Sequence, residues 1–218
     1  MVTALALAQF RNSQPRVPCV LILDTSGTME GARLTALNEG LTILWQDLLD
    51  DPIARERIEI AIVEFSSDVR ITRRFDLPSE VIPQIAKADG LTAMGKGIRE
   101  GFRLVEERTE LYRKVGIPHY KPWVFLITDG VPTDDIDGPA KIIAKAEAER
   151  SVAFFAVGVA DAKMEKLAKL STRGAMRLDG LRFRDLFRWL STSLIGVSMS
   201  RIGERVPLPQ LDWTSVSR

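Results

Sequence analysis

The sequence predicts a doubly wound α/β domain whose mostly parallel sheet has about six strands, one of them an antiparallel edge, flanked by helices. Three observations predict it. Apolar runs of strand length recur along the chain, stretches of helical period separate them, and several runs scarcely alternate with polar residues. A strand without alternation is one covered on both faces, as in a parallel sheet sandwiched by helices. Strands alternating with helices imply right-handed crossovers.

Cys19–Leu23, Ile58–Phe65, Trp123–Thr128 and Val152–Val159 have the β-branched and aromatic content of buried strands. The second alternates in part, Ile58, Ile60 and Ile62 against Glu59, Ala61 and Val63. Ser66-Ser-Asp68 reads as a hairpin turn leading into Val69–Phe75, where Arg70, Arg73 and Arg74 suggest a solvated edge guarded by charge. Asp68 and Asp76 read as turn residues. Ala175–Leu178 supplies a short sixth strand. Helical period runs through Leu34, Leu37, Leu41, Leu44, Trp45 and Leu48, and again through Ile98, Phe102, Val105 and Leu111. Ile142–Ala148, Leu167–Leu170 and Phe183–Leu194 complete the helices. The organisation expected is an N-terminal extension over 1–16, a domain over 17–200 and a Pro-containing tail over 201–218, with Trp213 packing on its own domain.

Composition excludes several function classes. The 218 residues suit one domain, and Lys+Arg of 30 against Asp+Glu of 29 leaves a formal charge of +1. No global field attracts nucleic acid or an anionic membrane, and no basic face interleaved with aromatics is visible. Cys19 is alone, so no internal disulfide framework is possible, and its apolar surroundings suggest a buried thiol. The opening Met1–Phe10 lacks a cationic stretch before its apolar residues, and no run nears the ~20 apolar residues of a spanning helix. A cytoplasmic location is expected.

Function must therefore sit in a local site. The first strand runs into Asp24-Thr-Ser-Gly-Thr-Met29, where Asp24, Ser26 and Thr28 are alternate oxygen bearers and Gly27 permits a tight turn. The strand Trp123–Thr128 runs into Asp129 and Gly130 in the same way. Ligands of open α/β sheets bind outside the carboxyl ends of strands where the winding reverses, so both acids would meet in one crevice. Carboxylates and hydroxyls without His or Cys make a hard oxygen site, suited to Mg²⁺ or Mn²⁺.

Asp24-Thr-Ser-Gly-Thr28 resembles the DxSxS motif of the metal-ion-dependent adhesion site in von Willebrand factor A-type domains, with Thr28 in place of the last serine. The loop threonine of that family is matched by Thr92 in Asp89-Gly-Leu-Thr-Ala-Met-Gly95, and its fourth-strand aspartate by Asp129. The resemblance extends from Pro18 to Leu194. The chain is also similar to the bacterial TerY-like branch, through Leu21–Gly27, Gly90–Ala93 and Phe125–Asp134. That likeness implies a non-enzymatic scaffold in a stress-response or tellurium-resistance system, beside kinase- or phosphatase-like proteins. The family arrangement implies hydroxyls bound to the metal, aspartates acting largely through water, and a partner's acidic residue completing the shell. Met29, Met94, Val131 and Pro132 would form an apolar rim around that open position.

Other readings compete. Asp24, Ser26 and Thr92 could each cap a helix. Asp134, Asp135 and Asp137 read as a solvated loop and the cap of the following helix. His119 sits in a loop without a partner near it in sequence. The alternative function is a Mg²⁺-dependent phosphatase with Asp24 as nucleophile, since Asp24–Thr28 also resembles the DxxGT loop of haloacid-dehalogenase-like phosphatases. Against it, Ser26 stands where a general acid is needed, and neither Lys114 nor Lys121 lies in a motif for holding phosphate. No residue is assigned a catalytic role.

Overall fold

The computed structural model describes residue 10 and residues 12–217. The rest of the N-terminal extension lies outside the described residues. Seven strands are present: β1 (Val17–Asp24), β2 (Ile58–Phe65), β3 (Val69–Asp76), β4 (Trp123–Thr128), β5 (Ala153–Val159), β6 (Ala175–Leu178) and β7 (Thr214–Ser217). Helices α1 (Ala32–Asp50), α2 (Ala54–Arg57), α3 (Met94–Val115), α4 (Asp137–Ala148), α5 (Met164–Ala168) and α6 (Phe183–Met199) connect them. The strand order is β3-β2-β1-β4-β5-β6-β7. The strands from β2 through β6 in that order run parallel, and β3 is antiparallel to β2, as expected of the charged edge. A strand not foreseen, β7, adds to the other edge antiparallel to β6.

The order places the winding reversal between β1 and β4. From β1 the chain steps to β2 on one side and then returns to β4 on the other. Leu23 pairs with Ile127, so the last residues of both strands finish side by side. Their following loops must diverge from there, and the crevice between them is where an α/β sheet receives a ligand.

Every residue of β1, β2, β4 and β5 is buried, which accounts for their unbroken apolar runs. The partial alternation of β2 therefore does not mark a wet face. Glu59 and Glu64 are buried too, 1% and 4% exposed, and both are ion-paired. One core packs α1 and α6 on the sheet through Leu41, Trp45, Phe187 and Leu190. The opposite core packs α3 and α4 through Met94, Ile98, Leu104 and Ile143. Cys19 is buried, and burial pushes its thiol far up, so it is an inert apolar group.

Two details show how tightly this frame is set. The tail docks on the domain: Trp213 is fully buried, edge-on to Trp189 at 5.8 Å, while the Trp189 indole donates to the Pro209 carbonyl at 3.0 Å. The α1–α6 contact depends on Gly40, where an added Cβ would lie 2.4 Å from Phe187 Cδ2 and 3.0 Å from the Phe183 carbonyl oxygen. Gly40→Ala should therefore destabilise the domain by up to about 2 kcal/mol, because overpacking towards the upper end of ~1–3 kcal/mol outweighs the ~1 kcal/mol that alanine gains in a helix. Urea unfolding checks this, and a variant as stable as the wild type would show that α6 can shift freely. Among the described residues no helix is long and apolar enough to cross a membrane.

Candidate metal centre at the sheet switch point

Asp24 ends β1 and is fully buried. Its Oδ1 accepts the Ser26 N–H at 2.8 Å, and its Oδ2 accepts the hydroxyl of Thr128, the last residue of β4. Burial pushes the Asp24 carboxyl above the ordinary aspartate range. The hydrogen bonds from Ser26 and Thr128 oppose that shift, and the charge of Asp129 adds to it. From Asp24 a chain of hydroxyls leads across the crevice. Ser26 and Thr28 share a hydrogen bond of 3.1 Å, and the Thr28 hydroxyl donates to Asp129 Oδ1 at 2.7 Å.

Thr92 arrives from a separate loop that is pinned by backbone. Gly27 N–H donates to the Gly90 carbonyl at 3.1 Å, and Asp89 N–H to the Thr25 carbonyl at 2.8 Å. On the other side Thr133 N–H donates to the Thr92 carbonyl at 2.9 Å, and Thr92 N–H to the Thr133 hydroxyl at 3.3 Å. Gly130 lies at the centre. A Cβ there would stand 2.8 Å from Thr92 Oγ1 and 3.2 Å from Asp24 Oδ2, so only glycine lets the β4 loop approach both groups. All five residues foreseen as ligands thus converge on one crevice.

The capping alternatives fail for these residues. Neither the 3₁₀ turn Gly27–Met29 nor α3 receives a side-chain cap from the residue preceding it. Asp134 performs that task for α3, accepting the N–H groups of Gly95 at 2.9 Å and Lys96 at 2.8 Å. This corrects the expectation that Asp134 serves only its own loop or the following helix. Asp135 does cap the following helix α4, accepting from Asp137 and Gly138. His119 is engaged with the Tyr120 carbonyl and the Tyr112 ring, before the start of β4 and so at the other end of the strand from Asp129.

The expected rim requires correction. Met29 and Met94 are fully buried, Met29 in the α1–α6 core and Met94 in the α3–α4 core. Met29 closes the 3₁₀ turn Gly27–Met29 and Met94 opens α3, both pointing inward, where a long apolar side chain is more stable than in water. Val131 remains exposed and Pro132 half-buried. An exposed apolar group that sequence reasoning missed is Leu91, 61% exposed and next to Thr92 in the chain. Also missed was Arg33. Its guanidinium is ion-paired with Asp129, donates to the Thr28 carbonyl at 3.0 Å, and reaches Asp161 at 2.9 Å.

Two carboxylates and three hydroxyls with no nitrogen or sulfur fit a hard divalent cation. The electrostatics fit as well, because Asp129 is already held against a cation, the Arg33 guanidinium. The phosphatase arrangement is not assembled. Both Asp24 oxygens are engaged, Lys114 is paired with Glu110, and Lys121 precedes β4, a strand's length of roughly 20 Å from the Asp129 end.

An open, mostly parallel sheet with helices on both faces, its winding reversing between β1 and β4, defines a domain of the doubly wound α/β class. The chain matches the von Willebrand factor type A domain over residues 19–185 and belongs to that family. Among solved structures it is similar to the pilus adhesin SpaC from Lactobacillus rhamnosus GG, with 15% identity, a TM-score of 0.67, and coverage of 87% of this chain and 32% of that one. It is also similar to a von Willebrand factor type A protein from Catenulispora acidiphila, with 16% identity, a TM-score of 0.64, and coverage of 84% and 43%. A third likeness is to proximal thread matrix protein 1 of the mussel byssus with a zinc-occupied MIDAS motif, at 16% identity, a TM-score of 0.60, and coverage of 83% and 48%. The chain therefore spans less than half the length of each of these proteins. No curated protein gives a match.

Proposed function

We propose that this domain binds a divalent cation, Mg²⁺ or Mn²⁺, through Asp24, Ser26, Thr28, Thr92 and Asp129, and uses it to hold a protein partner. The observation that carries the reading is the continuous path Ser26–Thr28–Asp129, closed by Asp24 and Thr92 meeting across Gly130. The zinc-occupied MIDAS motif of the mussel protein supports it by analogy of fold.

When bound, the cation supplies an electrophilic position that an acidic side chain of the partner can fill. The chain's own residues do the rest. Ser26, Thr28 and Thr92 offer neutral oxygens, which leave the charge of the cation largely unspent. Asp24 and Asp129 hold the hydroxyls in place and balance that charge from the crevice floor. Leu91, Val131 and Pro132 exclude water around the contact, which strengthens the ionic interaction. The partner class we favour is a kinase- or phosphatase-like protein of a bacterial, cytoplasmic stress or tellurium-resistance system of the TerY-like type. The domain's role there is that of a scaffold and not of an enzyme.

A ligand present at about 100 times its Kd stabilises the folded state by roughly 2.7 kcal/mol. For a domain of this size that corresponds to about 5–10 °C in Tm. Melting in saturating Mn²⁺ should exceed melting in chelator by that amount. An unchanged midpoint, with no heat in a Mn²⁺ titration, overturns the proposal.

A further inference from the structure

Arg33 opens the first turn of α1 and joins two loops that follow neighbouring strands, Asp129 after β4 and Asp161 after β5. Its two attachments differ. The Asp129 side chain is fully buried, whereas the Asp161 side chain is 88% exposed. A charge pair sheltered from water is strong, and one at the surface is weak. Both oxygens of the Asp129 carboxylate are also engaged, Oδ1 accepting from Thr28 and Oδ2 from Arg33. Any second cation in the crevice must share this carboxylate with a guanidinium already on it. The Arg33 side chain is itself 25% exposed, so it can withdraw along the surface.

We propose that Arg33 is a tethered counter-ion that competes with the divalent cation for Asp129, with Asp161 as its resting place once displaced. The inference rests on the metal-binding reading of the site. Arg33 compensates the buried Asp129 charge from within the crevice. Loading the site requires that contact to break, so the measured metal affinity is the intrinsic one reduced by the fraction of molecules with Arg33 withdrawn. Arg33 holds Asp161 while it also holds Asp129, and it keeps that partner when the Asp129 contact breaks, which offsets part of that reduction. The domain therefore carries its own threshold for the cation concentration at which it becomes competent for a partner.

The test is a double-mutant cycle read by Mn²⁺ calorimetry, in about 0.5 M salt so that only charges in near contact interact. Arg33→Gln should bind Mn²⁺ roughly tenfold or more tightly than wild type, because its competitor is gone. The same variant should melt lower without metal, since Asp129 loses its counter-charge. Asp161→Asn should bind several-fold more weakly, and adding it to Arg33→Gln should change nothing further. A simple through-space effect of Asp161 would weaken both backgrounds equally, and that result overturns its role as a resting place. An affinity of Arg33→Gln equal to or weaker than wild type overturns the competition while leaving metal binding intact. Absence of binding in both proteins overturns the metal reading and this inference with it. Should Arg33→Gln fail to fold, Arg33→Lys, which keeps the charge but reaches the two acids less well, must still bind more tightly than wild type.

Discussion

Replacing Glu59 by alanine should destabilise the domain by about 3–5 kcal/mol, the cost typical of leaving buried charge without its partner. Glu59 lies on β2 among apolar neighbours and is the single carboxylate between two guanidiniums. Its Oε1 accepts Arg16 Nε at 2.9 Å, and its Oε2 accepts Arg108 Nε at 2.7 Å and the Tyr112 hydroxyl at 2.5 Å. Arg16 is fully buried, and its remaining N–H groups are used by the Asn12 side chain and the carbonyls of Asn12 and Gln14. Burial, then the Glu59 charge, pushes the Tyr112 phenol well up, so it stays protonated and donates. Removing the carboxylate strands all three donors. Chemical denaturation of Glu59→Ala measures the loss. Glu59→Gln should lose less, because it keeps an acceptor, and Glu59→Leu combined with Arg16→Met should recover part of the stability by removing a charge with its partner. A loss under ~1 kcal/mol for Glu59→Ala would mean that water enters and solvates both arginines.

Residues whose position follows from their own strand were legible in the sequence. Asp24 and Asp129 announced themselves because an apolar run ending on an acid and a glycine turn is a local pattern, and parallel topology brings such ends together. Thr92 and the hydroxyls of Ser26 and Thr28 became readable through resemblance to a motif, not through spacing alone. The rest depended on contacts that no local pattern encodes. Arg33 meets Asp129 and Asp161 across 96 and 128 residues of sequence, and an arginine in a first helical turn ordinarily faces water. Met29 and Met94 were misplaced because their burial is decided by how the helices land on the sheet. Strand β7 escaped because Thr214–Ser217 is short and mostly polar, and its pairing with β6 spans a long stretch of sequence. The buried role of Glu59 was not legible because its two cations are 43 and 49 residues away in the chain.

Asp24→Asn and Asp129→Asn should both abolish Mn²⁺ binding yet move metal-free stability in opposite directions. Loss of one carboxylate charge near a cation costs on the order of 4 kcal/mol at ~4 Å in a partly screened crevice, about a thousandfold in affinity. Asp24 is disfavoured as an anion by burial first and by the Asp129 charge as well. Its folded-state value lies above the ordinary 3.8, so ionisation of Asp24 costs stability at neutral pH. That cost fades as pH falls through the raised value towards 3.8. An amide at position 24 carries no such cost and can still accept the Ser26 N–H, so metal-free Asp24→Asn should melt above wild type at pH 7. The gap should narrow on acidification. Asp129→Asn instead deprives Arg33 of its buried partner and should melt below wild type. Circular dichroism melts in chelator across pH, with Mn²⁺ calorimetry on the same samples, read both effects. Retained Mn²⁺ binding in Asp24→Asn would remove that residue from the site. Unfolding of both variants at room temperature would show instead that the crevice is a structural staple, since a rim site on a sheet with two intact cores should be separable from folding.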